Sequence, residues 1–285
     1  QVLAAALQAS GQTGEPLPVV YQPGGIGALA FRRSVMQAPA DAHTVVAFSS
    51  GSLLNLAQGR FGPHSGREVR WLAAIGMDYG VIAVHRDAPY RTLPELLAAL
   101  RSRPGQIVFG AGGSIGSQDW MKAALLARAA GVDYKSMRFV AFEGGGEALT
   151  ALTGHHVQVL AGDAAEVARH LERGAPVRVL AVLAGQRLRG ALAPVPTAAE
   201  QGYDIRWPIL RGLYLGPQVP ERELREWREI LARAQHHPQW ADALRQAGLQ
   251  PAPQDAWLMG PELDAQIARQ MADYRRLAAE FGLSR

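Results

Sequence analysis

The chain has no cysteine among its 285 residues. That excludes disulfides, thiolate metal sites and cysteine nucleophiles. It also suits an exported protein that avoids stray thiols. No apolar run approaches the roughly 20 residues that a bilayer-spanning helix needs. There is no polybasic run and no interleaving of aromatic with basic residues. The densest basic groups are pairs such as Arg32-Arg33 and Arg275-Arg276. With 29 basic against 25 acidic side chains, a formal net charge of +4, this scatter argues against nucleic acid as a partner. The mild positive balance suits a small anion or simple solubility equally well.

Catalytic motifs are missing too. Neither a G-x-S-x-G elbow nor an S-x-x-K pair occurs. The histidines (His43, His64, His85, His155, His156, His170, His236, His237) form no H-E-x-x-H and no ligand-spaced cluster. His155-His156 follow Gly154 at a helix end and His236-His237 precede Pro238, so both pairs read as solvated turns. Ser49-Ser50-Gly51-Ser52 follows a strand pattern, but no motif places a histidine to activate a serine. The expectation is a protein that is no enzyme, holds no metal and needs no cofactor.

What is present is an alternation. Short β-branched runs at 19–21, 44–50, 81–84, 107–109, 139–142, 157–160 and 177–183 are followed by helical patterns. Such alternation implies parallel sheets covered by helices on both faces. Thr92-x-x-Glu95 and Thr197-x-x-Glu200 read as capping boxes. A helix is expected from about Ile26 to Met36. Beyond Gly202 one more strand, GLYLG at 212–216, precedes helices at about 220–235, 239–247 and 260–281. The last carries Leu263, Ile267, Met271, Tyr274, Leu277 and Phe281 at helical spacing, a core-facing stripe. The opening QVLAAALQAS has no signal-peptide character and reads as the middle of a helix, so an upstream segment is expected outside this chain.

The richest stretch is Phe109–Trp120, FGAGGSIGSQDW. A strand that turns through glycines into a helix N-terminus leaves backbone N–H groups unpaired, and the helix dipole adds partial positive charge. Similar small-residue turns stand at Pro23-Gly24-Gly25, Ser49–Ser52, Gly144–Gly146 and Gly162-Asp163. In open α/β sheets ligands bind at the carboxyl ends of strands, so several such turns could serve one anion. Gly110-x-Gly112-x-x-x-Gly116 also approximates a dinucleotide fingerprint, with the wrong spacing and no Gly-Lys-Ser/Thr ending. A nucleotide-dependent α/β enzyme therefore stays open as an alternative.

The segments VVYQPGGIGALA, VVAFSSGSLLNLAQGRFG, IVFGAGGSIGSQDWMKAAL, FVAFEGGGEALTALTGHHVQVLAGD and VPTAAEQGYDIRWPILRGLYLGP, with the closing YRRLAAEFGL, resemble the tripartite tricarboxylate transporter receptor family, which includes the Bordetella uptake-gene proteins. The likeness runs in order over essentially the whole chain. SIGSQDW and WPILRG are similar to the citrate-type receptors; the wider family usually reads GSxSH where Gln118, Asp119 and Trp120 stand here. The resemblance implies a periplasmic solute-binding receptor with an α/β, two-lobed type II periplasmic-binding-protein fold, its sheets parallel or mixed with helices on both faces, and a ligand cleft between the lobes. It implies lobes of 1–85 with 210–285 and of 86–209. The ligand would be citrate or a similar carboxylate. The partners would be permease subunits of a tripartite transporter, or a signalling partner if the receptor senses rather than transports. The receptor would act as a monomer. In the family, a loop before the first helix forms half of the carboxylate clamp; that loop and the first strand fall outside this sequence. The matching residues for the other half are Gly113, Ser114, Gly116, Ser117 and Gln118. Ser49, Ser50 and Ser52 are expected to face the ligand from the first lobe. Gly145, Gly146 and Asp163 are expected at the same strand edge as the clamp. Asp163 would accept from a ligand hydroxyl or cap the following helix. Arg211 would compensate charge or pin the hinge.

Overall fold

The computed structural model describes residues 2–22, 24–251 and 257–283. Pro23 of the expected Pro-Gly-Gly turn lies outside them. Ten helices and seven strands are present among the described residues: α1 Val2–Ala9, α2 Ala28–Arg32, β1 Val46–Ser49, α3 Ser50–Ala57, β2 Arg70–His85, α4 Leu93–Ser102, β3 Val108–Gly112, α5 Gln118–Ala129, β4 Arg138–Phe142, α6 Gly145–Thr153, β5 Val159–Asp163, α7 Ala164–Glu172, β6 Val177–Leu183, β7 Pro208–Leu215, α8 Glu221–Ala234, α9 Pro238–Ala247 and α10 Gly260–Glu280. No helix among them is long and apolar enough to cross a membrane. The chain falls into two units, Gln1–Met77 with Leu210–Arg285, and Asp78–Ile209.

In the first unit the strand order is β1-β7-β2. β1 runs antiparallel to β7, from Val46 opposite Tyr214 to Ser49 opposite Arg211. Behind this sheet Leu72, Leu213, Leu231 and Trp240 are buried in one apolar cluster. The rings of Trp240 and Trp257 meet edge-on at 4.5 Å. α10 buries Leu263, Ile267, Met271 and Tyr274, the stripe its spacing foretells, while Leu277 is half-buried. Two expectations fail here. Residues 19–21 form no strand, and Val20 is 76% exposed: a β-branched run makes a strand only where a neighbour completes the ladder. The expected helix over 26–36 is split into a 3₁₀ turn at Gly25–Gly27, α2, and a π-turn at Arg33–Gln37. Gly27, at φ 90°, is a break that a regular helix cannot pass.

In the second unit β3 lies between β4 and β5, parallel to both. β2 lies between β5 and β6, antiparallel to both. The sheet is therefore mixed, where alternation alone suggested a parallel one. β2 is the reason: it is 16 residues long, and only Val81–Val84 of it was legible. It is buried almost throughout, so it shows no alternation, and Gly76 and Gly80 interrupt its apolar character. Both glycines mark close approaches. A methyl on Gly76 would lie 3.1 Å from Leu244, and one on Gly80 would lie 2.7 Å from Lys122 Cδ and 3.1 Å from Trp207.

The helices follow their sequence signals. Thr92 Oγ1 accepts from the Glu95 N–H at 3.3 Å and the Glu95 carboxylate accepts from the Arg91 N–H at 2.7 Å. α4 then buries Leu93, Leu96, Leu97 and Leu100 completely. At Thr197 the box is reciprocal: Thr197 Oγ1 accepts from the Glu200 N–H at 3.0 Å, and Glu200 accepts from the Thr197 N–H at 2.7 Å. The helix it opens is a single 3₁₀ turn ended by Gly202 at φ 90°. His155 and His156 are exposed, as expected of a turn, and the His155 ring stacks on His85 at 3.8 Å.

Candidate functional site

The registers of the second unit gather strand ends at one edge. Gly112 stands opposite Phe142, and Gly80 stands opposite both Asp163 and Leu183. Three turns leave this edge and begin α5, α6 and α7. Of the sequence-chosen residues, Gly113, Ser114, Gly116, Ser117, Gln118, Gly145, Gly146 and Asp163 all belong to these turns or the helix starts they open.

The first turn is tied into its own structure more fully than a bare anion nest. Ser117 is the N-cap of α5: its Oγ accepts from the Trp120 N–H at 3.3 Å and donates to Gly112 O at 3.0 Å. Its backbone N–H donates to Ser114 O at 2.9 Å. The Gly113 N–H donates to Phe142 O at 2.7 Å, and the Gly112 N–H to Asp119 Oδ2 at 2.9 Å. Ser117 and Gly113 are therefore framework residues here, since their donors are already used. Ser114 is exposed, and Gln118 opens α5, where the helix dipole places partial positive charge. These are the groups of the turn best placed to meet a solute. Gly113 and Gly116 adopt φ of 86° and 83°, which fits glycine and lets the turn close this tightly.

Lys122 lies under the turn, fully buried. Its Nζ is 2.7 Å from Asp119 Oδ1, 2.8 Å from Asp163 Oδ1 and 2.7 Å from Gly162 O. The ammonium donates to Gly162 O and Asp163 Oδ1, while Asp119 Oδ1 is an ion-pair neighbour without a hydrogen bond of its own. Gly80 gives the lysine stem its room. Burial opposes the charge on Lys122, but two carboxylates outweigh it and hold the ammonium above the usual lysine range. Burial pushes the Asp119 carboxyl up to about 6; the Asp163 charge adds to this and Lys122 partly offsets it. With both carboxylates ionised the group carries a net charge of −1.

Asp163 thus ends β5 as an ion-pair partner. It also accepts from Gln118 Nε2 at 3.2 Å, whereas Gln118 Oε1 is buried with no hydrogen-bond partner. Asp163 makes no side-chain cap to α7, contrary to one of its two expected roles. That task falls to Asp78 on β2, whose Oδ1 accepts from the Ala165 N–H at 3.0 Å. At the start of α6, Gly145 and Gly146 face the protein's own carboxylate. A methyl on Gly145 would collide with Glu166 Oε2, and one on Gly146 would come within 3.2 Å of Oε1. The two glycines expected at the ligand are in this arrangement a seat for Glu166.

The serines chosen from the sequence lie in the first unit. Ser49 caps α3, its Oγ accepting from the Gly51 N–H at 3.2 Å. Ser50 is wholly buried; its Oγ donates to Gln270 Oε1 at 3.2 Å and accepts from the Leu210 N–H at 2.7 Å. Ser50 is therefore a framework hydroxyl. Ser52 is half-buried beside Gly27. Arg211 is half-buried on β7 opposite Ser49. No cluster of three or more metal-type ligands occurs among the described residues.

Sequence reasoning missed Lys122, Asp119, Asp78 and Glu166. Asp119-x-x-Lys122 is an i,i+3 pair inside an otherwise apolar helix, which was a readable signal. Asp78 and Glu166 gave none, because their partners come from other elements.

Known proteins agree with this architecture. A UPF0065 protein from the tcbD–tcbE intergenic region of a Pseudomonas species is 26% identical over 237 residues, 82% of this chain and 69% of its own length. A second curated relative, from Cupriavidus necator, is matched over 51% of its length, so the chain spans about half to two thirds of these relatives. A TctC solute-binding protein from Polaromonas, solved without ligand, superposes with a TM-score of 0.71 at 26% identity, covering 98% of this chain and 93% of that one. MatC of Rhodopseudomonas palustris with bound malate superposes with a TM-score of 0.83 at 21% identity, covering 97% and 92%. The family model for tripartite tricarboxylate transporter receptors matches residues 3–278, and the chain belongs to that family.

Proposed function

We propose that this chain is a periplasmic receptor that captures a small di- or tricarboxylate and hands it to the membrane subunits of a tripartite tricarboxylate transporter. The observation that carries this reading is the strand-end edge of the second unit. There a glycine-serine turn opens α5, with an exposed Ser114 and first-turn N–H groups at Gln118. Such groups hold an anion through charge-assisted hydrogen bonds, without a reactive nucleophile. Family membership and a fold shared with a malate-bound protein support a carboxylate as that anion. On this reading the two units are the two lobes of the receptor, and Asp163 and Gln118 contribute from the second. Citrate is the specific ligand that the resemblance favours, and monomer is the working state.

A thermal-shift panel of citrate, isocitrate, tricarballylate, malate, succinate, adipate and glutamate tests the reading. A ligand at about 100 times its dissociation constant should add roughly 2.7 kcal/mol of stability. If every carboxylate leaves the melting curve unmoved, the reading is wrong. A shift with NAD or ATP instead would favour a nucleotide site at the same turn.

A further inference from the structure

The α5 turn, read as a carboxylate site, has an electrostatic difficulty. Its buried cation, Lys122, is already hydrogen-bonded to Gly162 O and Asp163 Oδ1 and ion-paired with Asp119. In its own group two carboxylates share this one cation. Asp119 comes from α5 and Asp163 from the end of β5. Asp78 on β2 spends Oδ1 on the Tyr79 and Ala165 N–H groups, and Glu166 on α7 lies against the first glycines of α6. α4 presents Arg101 toward α5, but its Nε donates to Ala130 O at the far end of that helix, at 2.9 Å. β3 supplies only the Gly112 N–H, which donates to Asp119. Each further negative charge brought to this edge meets a group that is already net anionic in a poorly solvated place.

Among these groups Asp119 is best placed to yield. It is buried, and the ammonium it shares also serves Asp163. We propose that Asp119 takes up one proton from solvent when a carboxylate binds, so that capture by this receptor is proton-linked. The proton adds to an Asp119 carboxylate oxygen. Lys122 then stays paired with the ionised Asp163, and the three-residue group goes from −1 to neutral as the ligand's charge arrives. The inference rests on the carboxylate reading above, and it deepens that reading by naming a positioning residue that sets the pH dependence of capture. The ordinary position of the Asp119 carboxyl, up at about 6 before any ligand arrives, places the change near neutral pH.

The test is calorimetry at pH 7 in two buffers of different ionisation enthalpy, using the tightest binder of the panel above. It is run on the chain and on Asp119→Asn, so that any titration of the ligand itself cancels in the difference. The expected result is an uptake of about 0.3 to 1 proton per ligand bound that the variant lacks. Affinity should weaken by up to about tenfold per unit of rising pH in the chain, and should be flatter in the variant. Should Asp119→Asn fail to fold, Asp119→Ser serves in its place, and the uptake should again vanish. Binding with no uptake, or uptake that survives both substitutions, overturns the proton linkage and leaves the carboxylate reading standing. No binding by any member of the panel overturns both.

Discussion

Two strand-to-helix turns in this protein begin alike. Ser49 ends β1 and Ser117 closes the turn that follows β3, and each caps the helix that follows by accepting from a backbone N–H. What lies beneath them differs. Under the first turn sits Ser50, a neutral hydroxyl held by Gln270 and the Leu210 N–H. Under the second sits a buried lysine between two aspartates. The capping pattern is local and common to both. The charge is not local: it depends on which distant element supplies the partners. A turn that looks like an anion nest in sequence can therefore be a neutral joint or an electrostatically poised one.

The strongest way to break this contrast is Lys122→Met. It strands two buried carboxylates and should cost about 3–5 kcal/mol in chemical denaturation. Adding Asp119→Asn and Asp163→Asn should restore much of that loss. An unrestored loss would mean that the lysine stem, not its charge, holds the turn. The caps come next. Ser117→Ala removes the hydroxyl that both caps α5 and holds Gly112 O, and should cost about 2 kcal/mol.

A pH scan gives a smaller signal. The Asp119 carboxyl lies at about 6 against an ordinary 3.8, so its folded value is raised. The stability linked to it is then fully present below pH 4 and is lost as pH rises through 6. Between pH 5 and 7 the ligand-free protein should lose on the order of 1 kcal/mol, and Asp119→Asn should flatten that slope. Ser49→Ala, which lacks the second bond of Ser117, should cost the least, about 0.5–1 kcal/mol. Equal losses at the two serines would show that the extra bond at Ser117 is immaterial.

Much of this was legible from residue order, for identifiable reasons. β6 spans Val177–Leu183, the very run that β-branched residues mark, and the stripe of α10 follows helical spacing. Both signals are local. The first half of β2 was not legible, because a strand buried on both faces shows no alternation. Val19–Tyr21 misled in the opposite direction, being strand-like in composition with no ladder to join. At the candidate site the same division holds. The serine cap of α5 is written into the turn itself. The partnership of Lys122 with Asp163, 41 residues away, exists only once β5 is laid beside α5. Ser50, Gly145 and Gly146 are small residues at turns, which suit ligands; their neighbours Gln270 and Glu166 come from other elements, so these contacts could not be read from the turns themselves.

Gly80 carries a consequence for how such chains diverge. The tightest obstacle to a side chain there is the lysine stem, with Leu183 and Trp207 close behind it. Positions 80 and 122 are therefore bound as a pair: a descendant can enlarge the first only after shortening the second. Removing the lysine first would leave Asp119 and Asp163 in need of neutralisation. Removing the aspartates first would strand the buried ammonium in turn, so the charges are tied to change together and the glycine last.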